Sequence, residues 1–454
     1  MLAVTCGCIE DGIVTSPQAQ PAFSADTLRM GLQFTCEPSA TYSLKIYNRY
    51  DKILNLSDVR MESGEYFRIN VDGFSGTVFS NVEIRPNDSI YVFVETTLPD
   101  NGGLAEAVTV RDRLLVQTNG VESAVVIEAE ARDVDRRYGE VLTGDTRFTA
   151  ELPYQIFDSL VVAPGATLML EAGTTLYFHA GAEMRVYGSL VSCGTSDKPV
   201  TLRGDRRGQM VGKIDYEIMS NQWSGLLFMP GSTGNRMAYT SVENTAIGVW
   251  VIESDLWLES SRLHNSAGNV LTALAGDVTA LGCQLSNAAG SVVEMHGGNH
   301  LFNRCTIVNY YLFSAPQGAI FNLRHLGPDF NDDDFQDVPY TTARVTNSII
   351  AGRGPTMSKG DFTGYDVRFE RCLMLDEGSD DSNFVDCLWE ADPKLDYDLV
   401  WYTFDYSPAA DGDGVDAAFP ALDHPALPRV DMHGRERGME LGCYAPAPAD
   451  DEAK

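Results

Sequence analysis

The sequence predicts an all-β protein in two parts, an Ig-like β-sandwich followed by a right-handed parallel β-helix. Three observations lead there. Apolar runs are short and broken by Gly, Asn, Asp and Pro, and no segment reads as a long amphipathic helix. Residues 22–135 alternate side chains in strand fashion, with Tyr42, Leu44 and Ile46 on one face and Ser43, Lys45 and Tyr47 on the other. From residue 158 an internal repeat takes over, and its closing asparagines Asn244, Asn265, Asn287 and Asn309 fall 21, 22 and 22 residues apart.

Composition narrows the classes. Lys plus Arg number 33 against 64 Asp plus Glu, a net charge of −31 in 454 residues. Such a field repels nucleic acid and anionic lipid, so neither is an expected partner, whereas neutral glycans and cations suit it. No run of about 18 apolar residues is present to span a membrane. The nine cysteines are widely and irregularly spaced and contain no CxxC, which argues against a four-cysteine zinc site.

The first part carries six or seven strand-like runs over residues 22–135. Asn119-Gly120 between DRLLVQT and VESAVVIEAEAR reads as a hairpin turn, and Asn87-Asp88 marks another turn. The run DTLRMG…SLKIYNRYDKILNLSDV…IRPNDSIYVFVE resembles the immunoglobulin-like domains of bacterial envelope proteins. The antibody-type Cys…Trp…Cys arrangement is absent, since Cys36 is alone and no Trp accompanies it. The resemblance implies a spacer.

The second part spans 136–446, ahead of an acidic tail at 447–454. YTSVEN, SSRLHN, GCQLSN and RCTIVN align, with RCLMLD as a fifth member. A coil of three short strands takes about this many residues, and it buries its inward side chains only by stacking on its neighbours. Stacking would place Val242, Leu263, Leu285, Ile307 and Met374 in one interior column. Thr240, Ser261, Cys283, Cys305 and Cys372 would form a second column of small side chains, with the asparagines in left-handed conformation at one turn. VVAPGATLMLEAGTTLYFHAGAEMRVYGSL, WSGLLFMPGSTGNRMAYTSVENTAIGV and the ending CLWEADPKL…SPAADGDG…LGCYAP are similar to β-helix repeat proteins of Bacteroidetes, with a pectate-lyase-like fold. That architecture serves lyases, glycosidases and non-catalytic adhesins alike. Neither the WxDH run of pectate lyases nor the NTD…DD…GHG…RIK series of polygalacturonases occurs.

Candidate sites are few. Trp250, Trp257, Tyr310 and Tyr311 could stack on sugar rings, alongside Trp401, Tyr402, Phe404 and Tyr406, although such residues more often pack coils. Asp329, Asp332, Asp333 and Asp334 crowd the loop 325–343, where a Ca²⁺ ion could be held, but the EF-hand pattern is missing. No other cofactor is expected. His296 and His300 have zinc-helix spacing, yet Gly297-Gly298 between them places the motif at a turn between strands. No catalytic residue emerges, because acid, base and charge stabiliser do not assemble.

The opening TCGCIED supplies an address. Gly7-Cys8 fits the rule that a small residue precedes the lipid-bearing cysteine of a bacterial lipoprotein. MLAVT is too short for a full signal, so the expectation is that the true start lies upstream or that the signal was cut. Glu10 and Asp11 resemble the acidic signal that exports Bacteroidetes lipoproteins to the cell surface, and residues 12–21 read as a tether. The expectation is an outer-membrane protein facing outward, held by its N-terminal lipid alone. Its β-helix would present a non-catalytic surface to a glycan or an envelope protein, with a lyase or hydrolase as the alternative.

Overall fold

The computed structural model describes residues 12–211, 214–324, 341–357 and 366–446. The chain forms two compact units. The first comprises the residues up to Val134 together with Arg207–Tyr216, and the second Asp135–Arg206 with the residues from Glu217 onward.

The first unit is built from β1 (Ala22–Phe23), β2 (Thr27–Phe34), β3 (Tyr42–Tyr47), β4 (Leu54–Met61), β5 (Phe67–Val71), β6 (Phe74–Gly76), β7 (Val78–Phe79), β8 (Val82–Ile84), β9 (Ser89–Thr96), β10 (Val108–Thr118) and β11 (Val121–Arg132). One sheet runs β1-β3-β9-β5-β6 and the other β2-β11-β10-β4-β7, with β8 beside β4. Ile46, Val92, Leu56, Val116 and Ile127, drawn from both sheets, share one buried core. Asn119 and Gly120 close the β10–β11 hairpin at φ 51° and 79°, the two positive values a primed two-residue turn requires.

The second unit is a parallel β-helix of three faces. Face 1 stacks Thr175–Phe178, Val200–Gly204, Thr240–Glu243, Arg262–Ser266, Gln284–Ala288, Thr306–Asn309, Ile349–Gly352 and Leu373–Met374. Face 2 stacks Glu183–Val186, Trp223–Phe228, Thr245–Ile252, Leu271–Leu274, Val293–His296 and Phe321–Arg324. The strand Tyr154–Val162 joins these two faces, bending at Asp158 (φ 60°) so that its halves pair on either side. Face 3 is a separate 10-stranded parallel sheet, from Thr146–Phe148 to Phe384–Val385.

The interior column exists and is longer than the sequence suggested. Register runs Tyr154, Leu176, Leu202, Val242, Leu263, Leu285, Ile307, Ile350 and Met374. Ile350 fills a tier that the five-member alignment had skipped. Asn244, Asn265 and Asn287 stand at φ 65°, 62° and 63°, but Asn309 does not adopt this conformation. Its side chain instead bridges the coil before it, accepting from Ala288 N at 3.1 Å and donating to Ala288 O at 3.0 Å.

A second left-handed corner was not legible, because its residues differ chemically. Tyr239, Ser260, Gly282, Arg304, Asn347, Arg371 and Asp386 all hold positive φ there, between 39° and 63°. What repeats is the next residue. Thr240, Ser261, Cys283, Cys305, Ser348, Cys372 and Cys387 each donate a hydroxyl or thiol to the carbonyl two positions back. The column of small side chains therefore satisfies the corner carbonyls as well as filling space. The described cysteines are all free thiols.

Residues 391–446 run back over face 1 as a strap. Val308, Ile349, Ala351 and Leu373, which point outward from the coils, are covered by Leu395, Tyr406 and Leu441 in a second apolar core. Tyr406 and Tyr444 donate to Asn287 and Gln284, each at 2.7 Å. The buried Arg304 guanidinium makes two 2.8 Å bonds to Asp423. The acidic run DGDGVD lies in this strap, with Asp413 accepting from Asp392 N and Asp411 paired to Lys394.

Truncating Leu285, fully buried in the middle of the interior column, is expected to cost about 2–5 kcal/mol as Leu285→Ala. Urea unfolding followed by circular dichroism measures it, and a loss below about 1 kcal/mol would contradict the stacked core.

Candidate functional site

Parallel stacking turns each outward position into a file of side chains one coil apart, about 4.8 Å per step. The three faces present different files. Face 1 lies largely under the strap.

Among the described residues, the strap leaves the outward file of face 3 exposed or half-buried. That file reads Arg147, Met169, Val191, Arg236, Trp257, Thr279, Leu301, Arg344 and Arg368. All of these are exposed or half-buried. Each arginine is balanced by a neighbouring carboxylate, Arg147 by Glu171 (2.7 Å), Arg236 by Glu259 (2.7 Å), Arg344 by Asp366 (2.8 Å) and Arg368 by Glu370 (3.0 Å). The arginines of the file are thus charge-balanced, Met169, Val191 and Leu301 are its aliphatic members, and one indole stands at its middle. Trp257 Nε1 donates to Glu259 Oε1 at 2.5 Å, and both carboxylate oxygens of Glu259 also accept from Arg236. The indole is held in one orientation before any ligand arrives, which lowers the ordering cost of stacking on it.

His424, from the strap, meets the Trp257 ring edge-on at 5.6 Å. It also lines a cavity of about 350 Å³ with Arg304, Asp423, Arg429, Glu436 and Arg437. The Arg437 guanidinium bonds Pro428 O, Cys443 O, Ser260 Oγ and Gly282 O, so this cavity is walled by groups already engaged in holding the strap down.

Trp250 sits elsewhere, on face 2, in the file Arg185, Leu227, Trp250, Thr272, Glu294 and Asn322. Its Nε1 donates to Ile247 O at 2.9 Å. Further along this face, Glu294 bonds His296 Nε2 at 2.8 Å and Asn269 Nδ2 at 3.0 Å. His296 ends one strand and His300 lies in the next, with Gly297 and Gly298 turning the chain at φ 71° and 91°. Among the described residues no group of three His, Cys, Asp or Glu side chains could hold a metal ion.

Tyr310 lies against the strap, and Tyr311 against Phe313 and the segment that carries Ser220. Tyr310 stacks on Tyr397 at 4.2 Å, and burial pushes its phenol up. Tyr311 is 5% exposed and its hydroxyl meets Ser220 Oγ at 2.7 Å. Trp250, Trp257, Tyr310 and Tyr311 therefore do not share one surface, and of these four only Trp257 lies on face 3, while Trp401, Tyr402, Phe404 and Tyr406 belong to the strap, with Trp401 exposed. Cys8, Glu10 and Asp11, and the acidic loop with Asp329, Asp332, Asp333 and Asp334, lie outside the described residues.

Sequence reasoning missed Glu259, Arg236 and His424, which build the setting of Trp257. It also missed a group in the first coils. There His179 Nδ1 meets Asp205 Oδ2 at 2.8 Å, Gln155 donates to the same oxygen, and the His179 ring packs on Phe157, which stacks on Tyr138. The signal was register alone, since Tyr138 pairs with Phe157 across coils of unequal length.

No family model matches the chain, and no curated protein matches it. Among solved structures, it is similar to a family 123 glycoside hydrolase from Clostridium perfringens, studied for hydrolysis of glycolipid glycans. Identity is 9%, the match covers 25% of this chain and 26% of that one, and the TM-score is 0.17. A likeness so slight transfers nothing to this chain.

His300 is 4% exposed, and burial drives its pKa down to about 4. Its Nε2 donates to Gly297 O at 3.0 Å when the ring is neutral, and Asp277 opposes the shift without reversing it. The unfolded chain takes up this proton first, near pH 6.5, so the contribution is intact above that pH and is lost as pH falls toward 4. Unfolding free energy should drop by up to about 3 kcal/mol across this window from this residue. His300→Gln should flatten that part of the slope in urea titrations at stepped pH.

Proposed function

We propose that this protein is a non-catalytic, lipid-anchored outer-membrane protein, facing outward, whose β-helix binds a glycan along face 3. One observation carries the reading. Trp257, fixed by Glu259 and Arg236, stands in the middle of a file of exposed and half-buried side chains whose arginines are charge-balanced. Sugar recognition needs a flat apolar ring face for stacking and bidentate polar groups beside it for hydroxyls. A neutral glycan fits better than a polyanion, because the arginines of the file are paired and the chain carries −31 overall. Repeated files one coil apart suit a linear polymer. Cys8 would carry the lipid, and Glu10 and Asp11 the outward signal.

A second reading, a lyase or hydrolase, is favoured by the His179–Asp205 pair, whose imidazole is 52% exposed with its Nδ1 already oriented. Release of reducing ends from any bound glycan, abolished in His179→Gln, would replace the binding reading with this one.

A glycan array followed by calorimetry tests the binding. Trp257→Ala should weaken affinity by about 30-fold, the loss typical of an aromatic hot spot. Trp250→Ala, on face 2, should leave affinity within about twofold, well inside one decade. Equal losses in both variants would sink the face 3 assignment. The anchor is tested separately in cells. Cys8→Ala should move the protein from the membrane to the soluble fraction, and a wild type that takes no lipid label would remove the address.

A further inference from the structure

Cys372 and Cys387 occupy the same corner of two successive coils at the C-terminal end of the β-helix. Glu370 pairs with Val385 and Leu373 with Leu388, so the two cysteines lie opposite each other between these pairs. Arg371 N to Val385 O (3.0 Å) and Leu388 N to Cys372 O (2.8 Å) hold the register. Arg371 and Asp386, one position earlier, share the left-handed conformation at φ 56° and 50°. Both thiols point the same way, each toward a carbonyl of the preceding coil, Cys372 to Val345 O at 3.3 Å and Cys387 to Phe369 O at 3.6 Å. Backbones in such a stack are about 4.8 Å apart, inside the Cα range a disulfide spans.

Access separates this pair from its equivalent deeper in the helix. Cys283 and Cys305 are also in register, between Leu281–Asn303 and Gln284–Thr306, but both are fully buried. Cys372 is fully buried as well, but its partner Cys387 is partly exposed. The face 3 strand that leads to it, Phe384–Val385, is two residues long and ends that sheet. The last rung of a solenoid has a neighbour on one side only, so it is where opening begins.

We propose that Cys372 and Cys387 form an intramolecular disulfide that clamps the last coil to the one before it. The step is an exchange with a small disulfide donor such as oxidised glutathione. The Cys387 thiolate attacks one donor sulfur, and one glutathione leaves as its thiolate. The Cys372 thiolate then displaces the second. The two protein thiols give up two protons and two electrons, and the donor disulfide is reduced to two thiols. A hydrogen bond with the Cys372 thiol lowers the pKa of Cys387, whereas burial raises Cys372, which agrees with Cys387 attacking first. Asp380, whose Oδ1 accepts from Cys387 N at 3.2 Å, opposes that lowering through its charge. This inference stands apart from the glycan reading.

The test uses the folded full-length protein. It is incubated with oxidised glutathione, free thiols are alkylated, and peptides are mapped by mass spectrometry. The expected product joins Cys372 to Cys387 and is lighter by two hydrogens, with Cys283, Cys305 and Cys443 alkylated only after unfolding. Oxidation should also raise Tm. Cys387→Ser and Cys372→Ser should still fold, because Ser261 and Ser348 already occupy this column, and both should lose the cross-link and the Tm rise. A stable glutathione adduct on Cys387 without ring closure would overturn the proposal. So would a pair that stays reduced, or a Tm rise that persists in Cys387→Ser.

Discussion

Parallel, in-register pairing between successive coils is the constraint on which the second unit depends. Each strand's backbone groups are satisfied by the coil above and the coil below, so like positions must stack on like. An inward Leu285 is obliged to meet Leu263 and Ile307, and a corner residue meets corner residues. Chain length per coil is free to vary at the turns. That is why Ile350 follows Ile307 in space although the chain between them is longer than in the preceding coils.

The corners show how this constraint is met with varied sequence. Seven residues of six types take up the left-handed conformation, a cost for the six of them that carry a Cβ. The following hydroxyl or thiol recovers a carbonyl bond at every one of them. Serine, threonine and cysteine are interchangeable here because each is small and can donate. The strap completes the unit by covering the later coils of face 1, where Val308, Ile349, Ala351 and Leu373 point outward. Arg304 on Asp423 and Tyr444 on Gln284 fasten it along the stack.

The same geometry sorts the surface. Face 3 keeps a charge-balanced file with an indole at its centre, whereas face 2 carries Trp250 and the Glu294–His296 pair, and the strap covers the later coils of face 1. The interior column and the Asn119-Gly120 hairpin could be read beforehand, because both follow from local pattern, one a repeat spacing and the other a turn chemistry. The setting of Trp257 could not. Arg236 and Glu259 lie 23 residues apart, and His424 comes from the strap. Tyr310 and Tyr311 looked like sugar platforms because sequence does not disclose what packs above them.

The sequence by itself determined the all-β class, the 21- and 22-residue coil and the small-residue column, since these rest on periodicity and on the conformational preferences of single residues. Tertiary structure alone decided which coils the strap covers, how Trp257 is held and which cysteines stand opposite each other. Those outcomes depend on where the returning strap lies and on register summed over many coils, and neither is encoded in any local stretch.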